Sequence, residues 1–175
     1  YLVTTLTPGI SALQLQRQLG LGSYRTAWFM LNRLRKGMVS DSRSRLCGVV
    51  EADETFIGGP VEGKRGRGVT KGSHKSLVVG AVEVVSYVDK KGNACERAGR
   101  LRLSSVDAAD GETIGRFLSA NVEPAAVIRS DGWKGYSKTA LKGYVHDQRI
   151  VGSPELAHVV AVHIHRVFSN LKTLL

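Results

Sequence analysis

Cysteine is scarce: the chain has two, Cys47 and Cys95, and no Cys-x-x-Cys pair. That excludes a disulfide framework and a four-thiolate zinc site, and it points to a reducing compartment. Long apolar runs are lacking too. Nothing approaches the roughly 20 residues that a membrane span needs. The opening, Tyr1 to Ile10, has neither an initiator Met nor the basic-then-apolar order of a secretory leader. The start reads as a cut, and so does the end, because Leu174-Leu175 falls inside a helical pattern. Internal repeats and low-complexity tracts are missing. Acidic residues are outnumbered, 15 against 25 Lys and Arg, for a net charge of +10.

The excess charge is uneven. Residues 1–75 hold 12 Lys/Arg and 5 Asp/Glu, a net +7, and the other 100 residues carry only +3. A basic N-terminal part implies a polyanionic partner. Nucleic acid fits better than a membrane surface, since no amphipathic anchor accompanies the charge. With 42% hydrophobic residues among 175, the chain can bury one core and carry a small appended module.

Two helices around a tight turn are predicted between Ile10 and Met38. Ser11 and Gln14 form a capping box, Leu13, Leu15 and Leu19 follow, and Gly20-Leu21-Gly22-Ser23 supplies the stop, the turn and the next N-cap. The second helix puts Ala27, Leu31, Leu34 and Met38 on one face, with Trp28 beside them. Arg25, Asn32 and Lys36 lie on another, next to Arg33. This is the helix-turn-helix pattern, and those four polar residues are its DNA-contact candidates. Residues 40–45 read as a polar linker.

Strands follow. Leu46–Asp53 is the first. Gly58–Ser73 is a glycine-rich basic loop with Lys64, Arg65 and Arg67, placed either to clamp DNA or simply to be solvated. Ser76–Tyr87 is a β-branched strand, Asp89–Gly92 a turn, and Gly99–Ser105 alternates as a half-buried strand. Helical spacing covers Ala109–Ala120. Ala125–Arg129 is a short strand, Tyr144–Ile150 a fifth, and a helix runs from about Glu155 to the end with Ile164, Val167, Phe168 and Leu171 in its apolar stripe. The order is that of a ribonuclease-H-like α/β layer.

Asp53 and Asp131 each follow a strand of that layer, and Gly132 lets a ligand approach the second. Phosphodiester cleavage with two metals needs oxygen ligands shared between hard cations, which two Asp side chains on neighbouring strand ends would supply. By alternation Glu51 shares the strand face of Asp53 and Glu54 does not; either could assist the site, but both read first as solvated charges. On the last helix His163, Arg166 and Asn170 share one face, which could look back at the sheet. His163 and His165 lie about 200° apart around a regular helix, so His-x-His does not read as a zinc site.

Three ordered blocks, Val50-Glu51-Ala52-Asp53-Glu54-Thr55-Phe56-Ile57-Gly58-Gly59, Ser130-Asp131-Gly132-Trp133-Lys134-Gly135-Tyr136 and His165-Arg166-Val167-Phe168-Ser169-Asn170-Leu171-Lys172, resemble one group of insertion-sequence transposases, numbered fifteen ninety-five. The resemblance implies an integrase-like core and a triad of Asp, Asp and Asn or Glu followed by Lys: here Asp53, Asp131, Asn170 and Lys172, with Glu155 or His163 as alternatives for the third. It implies two Mg²⁺ (or Mn²⁺) ions, DNA at the transposon ends and in the target, a homo-oligomer assembled on DNA, and a cytoplasmic, nucleoid-associated location. Family members usually carry a zinc ribbon upstream and further helix downstream.

The expected architecture is therefore a helix-turn-helix segment at 1–39, a linker at 40–45 and a ribonuclease-H-like catalytic core from 46 to 175, cut short at its C-terminus. The expected activity is metal-dependent cleavage of transposon ends with strand transfer. A helix-turn-helix regulator with a non-catalytic second domain, or a ribonuclease-H-like nuclease without strand transfer, are the rival readings.

Overall fold

The computed structural model describes residues 3, 9–38, 43–58, 75–131, 133–137, 140–149 and 161–173. Contacts divide the chain into two units, residues 1–43 with 173–175 and residues 44–172.

In the first unit, helix α1 (Ala12–Leu19) opens on the capping box. The Ser11 hydroxyl accepts the Gln14 amide and the Gln14 side chain accepts that of Ser11, both at 3.1 Å. Gly20 ends it in the left-handed conformation, φ 63°, where a Cβ would be penalised. Helix α2 (Tyr24–Gly37) follows an extended Ser23, which makes no side-chain capping bond. Ile10, Ala12, Leu15 and Leu31 form the small core, beside a fully buried Ala27. Leu34 and Met38, expected on the same face, are 47% and 51% exposed. An eight-residue helix is too short to cover a fourteen-residue one along its length.

The second unit is built on strands β1 (Val49–Ile57), β2 (Ser76–Val88), β3 (Ala94–Val106), β4 (Val127–Ser130) and β5 (Val145–Gln148). They form one sheet in the order β3-β2-β1-β4-β5. β2 is antiparallel to both neighbours, whereas β1, β4 and β5 run parallel. Helix α3 (Gly111–Asn121) connects β3 to β4, and helix α4 (Val162–Thr173) is the last element. This mixed α/β arrangement is compatible with a ribonuclease-H-like fold.

Alternation along β1 and β2 sends side chains to two faces. Val50, Ala52, Val79 and Ala81 join the core that holds Ile114, Phe117 and Leu118 of α3. Val82 packs instead with Ala161, Ile164 and Phe168 at α4. Gly80 makes that second packing close. A Cβ there would stand 2.8 Å from Ile164 Cδ1 and 2.9 Å from Phe168 Cε1.

Several boundaries differ from expectation. β1 does not stop at Asp53, because β2 pairs with it as far as Ile57↔Ser76. β3 starts at Ala94 rather than Gly99, since Asp89 folds the hairpin tip by accepting the amides of Lys91 and Asn93, both at 2.8 Å. The glycine loop with Lys64, Arg65 and Arg67, the start expected for the last helix at Glu155, and Gly132 lie outside the described residues. Among those described, no helix is long and apolar enough to cross a membrane.

Candidate active site

Asp53 lies inside a strand, yet at the point where that strand outruns its parallel neighbour. The β1–β4 ladder pairs Val49, Val50 and Glu51 with Val127, Ile128 and Arg129. Continuing the same register two residues sets Asp53 level with Asp131, the first residue beyond β4. The ladder itself ends at Glu51↔Arg129; both carboxylates nonetheless lie near enough to Tyr136 for their charges to act on its phenol. Asp131 is steadied by an Asx turn in which its Oδ1 accepts the Trp133 amide at 2.9 Å.

Tyr136 reports on the same locality. Its phenol is buried, and burial first, then the negative charges of Glu54, Asp53 and Asp131, push its pKa well above the usual phenol value. It stays protonated at any physiological pH. Its ring meets Trp133 edge-on, centroids 6.5 Å apart. Trp133, through its amide, and Tyr136, through its phenol, are thus neighbours of the aspartates.

Glu51 is not the solvated charge that its place in the sequence suggests. Glu51 is 1% exposed. Its Oε2 accepts the backbone amides of His163 at 2.8 Å and Ile164 at 3.0 Å, and its Oε1 lies 3.6 Å from the Arg129 guanidinium. It is thus a cap delivered by the sheet to amides at the start of α4, which have no partner inside the helix. Arg129 is buried as well, with Glu96 at 3.1 Å and Asp147 at 3.3 Å. Glu96 is held below its usual pKa, chiefly by the Arg129 hydrogen bond. Alternation placed Glu51 on the face of Asp53, but nothing local in the sequence shows that a helix 112 residues later needs its carboxylate.

The face of α4 expected to look at the sheet is also different. Of His163, Arg166 and Asn170, only His163 is buried; Arg166 and Asn170 are exposed, as is Lys172. Ile164 and Phe168 occupy the seam and fix the rotation of the helix. From α4, His165 approaches Asp53: its Nδ1 is 3.6 Å from Asp53 Oδ2. His165 thus stands beside Asp53, and Asn170 and Lys172 are at the surface of the same helix. No cluster of three or more His, Cys, Asp or Glu poised to hold a metal occurs among the described residues. In the first unit Arg25, Asn32, Arg33 and Lys36 are all exposed. Arg25 stacks over Phe29, 5.6 Å from the ring centre, and Asn32 donates to the Trp28 carbonyl at 2.9 Å.

A mixed sheet with Asp53 inside β1, Asp131 just past β4 and a helix packed over Gly80 makes an α/β domain with a candidate site. The chain belongs to the ISXO2-like transposase domain family, whose model matches residues 45–175. No curated protein and no solved structure matches it. Its domain is a transposase domain, and the resemblance of the three sequence blocks to insertion-sequence transposases agrees with that.

Proposed function

We propose that this protein cleaves the ends of a mobile DNA element and joins them to target DNA, with Asp53 and Asp131 holding divalent metal in a ribonuclease-H-like catalytic layer. The reading is supported by the parallel register of β1 and β4, whose continuation past Glu51↔Arg129 points Asp53 toward Asp131. The donor set fits hard cations, since both groups are carboxylates. Mg²⁺ commonly binds through one or two carboxylates plus substrate phosphates rather than in an all-protein cage. A site with few protein ligands therefore suits an ion that is completed by DNA. Bound there, Mg²⁺ or Mn²⁺ supplies charge neutralisation at the scissile phosphate and lowers the pKa of the attacking oxygen.

The remaining roles belong to the chain itself. Arg25, Asn32, Arg33 and Lys36 on α2 grip DNA as a helix-turn-helix, and Lys64, Arg65 and Arg67 add basic charge. Lys172, exposed near the end of α4, meets the DNA backbone. Tyr136 and Trp133 wall the site. Assembly as a homo-oligomer on paired ends, in the cytoplasm, completes the proposal.

The test is strand cleavage and joining on an element-end duplex with Mg²⁺ or Mn²⁺. Asp53→Asn and Asp131→Asn should each slow cleavage by about 10²-fold or more, as loss of a preorganised electrostatic group does, with DNA binding retained. Nicking without joining would make the protein a nuclease. DNA binding with no nicking in either metal would make it a regulator.

A further inference from the structure

We propose that the groove between α1 and α2 holds an unpaired DNA base stacked on Trp28, so that this unit binds single-stranded DNA. This rests on the reading of α2 as a DNA-gripping helix, and adds which form of DNA its ring faces select.

Charge comes first. Residues 1–43 hold six Lys/Arg and one Asp, a net +5. Helices α1 and α2 together contain Arg17, Arg25, Arg33, Arg35 and Lys36, and neither has an acidic residue. A second copy of this unit would bring like charge against its own, whereas a polyanion is attracted. The surface fits nucleic acid and disfavours self-association.

Ring exposure comes second. Tyr24, Trp28 and Phe29 are 52%, 45% and 47% exposed. Only Ala27 and Leu31 of α2 are buried, so the small core does not need these rings. Phosphate contacts need no aromatic, and in a duplex the base faces are already stacked on one another. An unpaired base offers a free face, and an exposed ring can stack on it whatever the base. Phe29 meets Trp28 edge-on at 5.1 Å, and Arg25 lies over the Phe29 ring at 5.6 Å. These contacts steady the platform.

The groove itself comes third. It encloses about 410 Å³, and Ser11, Gln14, Tyr24, Trp28, Asn32 and Arg35 line it. Positions 24, 28, 32 and 35 follow one another along one side of α2, so two rings, an amide and a guanidinium form a row. The volume suits one nucleotide rather than a paired duplex. Hydroxyl, amide and guanidinium groups offer donors and acceptors to a base edge. Arg35 gives one of its five N–H donors to the Ile10 carbonyl at 3.1 Å, which fixes the guanidinium in the groove wall. Arg25, Arg33 and Lys36 sit one position further round the helix, where the phosphates of a strand laid along the row would find them.

The experiment compares three labelled ligands of equal length on the whole chain: oligothymidylate, an abasic sugar–phosphate strand and a duplex. Trp133→Phe leaves Trp28 as the one tryptophan, and its emission reports stacking. Oligothymidylate should quench that emission and bind at least about 5-fold more tightly than the abasic strand. Trp28→Ala and Trp28→Leu should each weaken oligothymidylate binding by about 5- to 100-fold, the loss of one stacked base. Affinity for the abasic strand and the duplex should change little, and circular dichroism should be preserved. An abasic strand bound as tightly as oligothymidylate would overturn the proposal. So would a Trp28→Leu protein that binds like the wild type, since leucine keeps apolar bulk and loses the ring face. Trp28 emission that shifts to the blue as protein concentration rises, without DNA, would give the surface to self-association and overturn it too. Failure to bind any of the three ligands sinks the DNA-gripping reading of α2 itself, whereas binding indifferent to bases sinks only the stacking.

Discussion

The carboxylate of Glu51 accepts the backbone amide of His163 at 2.8 Å, tying strand β1 to the first turn of α4 across 112 residues of sequence. The positive end of the helix dipole and two unpaired amides are what a buried carboxylate can use, and Arg129 adds a countercharge.

This link gives a first prediction, on stability. Glu51→Gln keeps an oxygen for the amides but removes the charge facing Arg129, and should cost about 1–2 kcal/mol. Glu51→Ala also leaves the amides unpaired and Arg129 short of a partner, and should cost about 3–5 kcal/mol, the range for breaking a buried ion pair. Urea unfolding of the three proteins measures both, and an Ala variant no worse than Gln would contradict the capping role.

Gly80 yields a second. A methyl group there meets side-chain ends of Ile164, Phe168 and Leu103 at 2.8–3.0 Å, which can move only by lifting α4 from the sheet or leaving their rotamers. Gly80→Ala should destabilise by about 1–3 kcal/mol, the usual cost of overpacking. Because Gly80 lies opposite Asp53, DNA cleavage should fall as well, even at temperatures where the variant is fully folded. Gly92→Ala is strained by its φ of +84° but meets nothing within 4 Å. It should cost stability without touching cleavage.

These residues mark what the sequence carries and what it does not. Periodicity and turn chemistry encode local structure, so the Ser11–Gln14 cap, the Gly20 stop and the α3 core of Ile114, Phe117 and Leu118 were readable. The position of Asp131 just past a strand is readable as well. The length of β1 was not, because it depends on how far β2 keeps pairing, a non-local matter. The burial of Glu51 and Arg129 was hidden for the same reason: a charged residue in a strand looks solvated until its partners from other elements are known. The rotation of α4 was misjudged by a small angle. Stripe and polar face adjoin on that helix, and only the seat over Gly80 shows which polar residues turn inward.

Acid sensitivity provides a third prediction. Glu83 is held down to about 2 from an ordinary 4.5, mainly by hydrogen bonds from Arg100, one of them 2.7 Å long, with Cys47 helping. A carboxyl whose folded pKa is depressed contributes stability that is present above its unfolded pKa and lost as pH falls through the folded value. The contribution should therefore persist above about pH 4.5 and disappear between there and about pH 2. Arg100→Met removes the main cause, so its stability should depend less on pH in that window than the wild type's. Equilibrium unfolding at pH 2.5, 3.5, 4.5 and 6 checks this, and parallel curves for the two proteins would rule out the pair.

The last prediction concerns DNA. Residues 1–75 carry a net +7, and Arg33 and Lys36 stand exposed on the outer side of α2, away from the buried Ala27 and Leu31. Neither helps hold the two-helix unit together, so both can be replaced without disturbing its core. Binding dominated by phosphate contacts releases condensed counterions, and its log–log salt slope is about −0.9 for each phosphate neutralised on duplex DNA. If both residues touch phosphates, replacing the pair by Ala should flatten the slope by roughly one to two units. The loss of affinity should be similar for element-end and unrelated duplexes, because phosphates carry no sequence information. Arg35→Ala is the informative contrast. Arg35 donates to the Ile10 carbonyl at 3.1 Å, so its loss should lower the stability of the unit more than it changes the slope. Mobility-shift titrations over a range of KCl concentrations measure the slopes. A slope unchanged by the double replacement would remove this face of α2 from the DNA interface and turn attention to Lys64, Arg65 and Arg67.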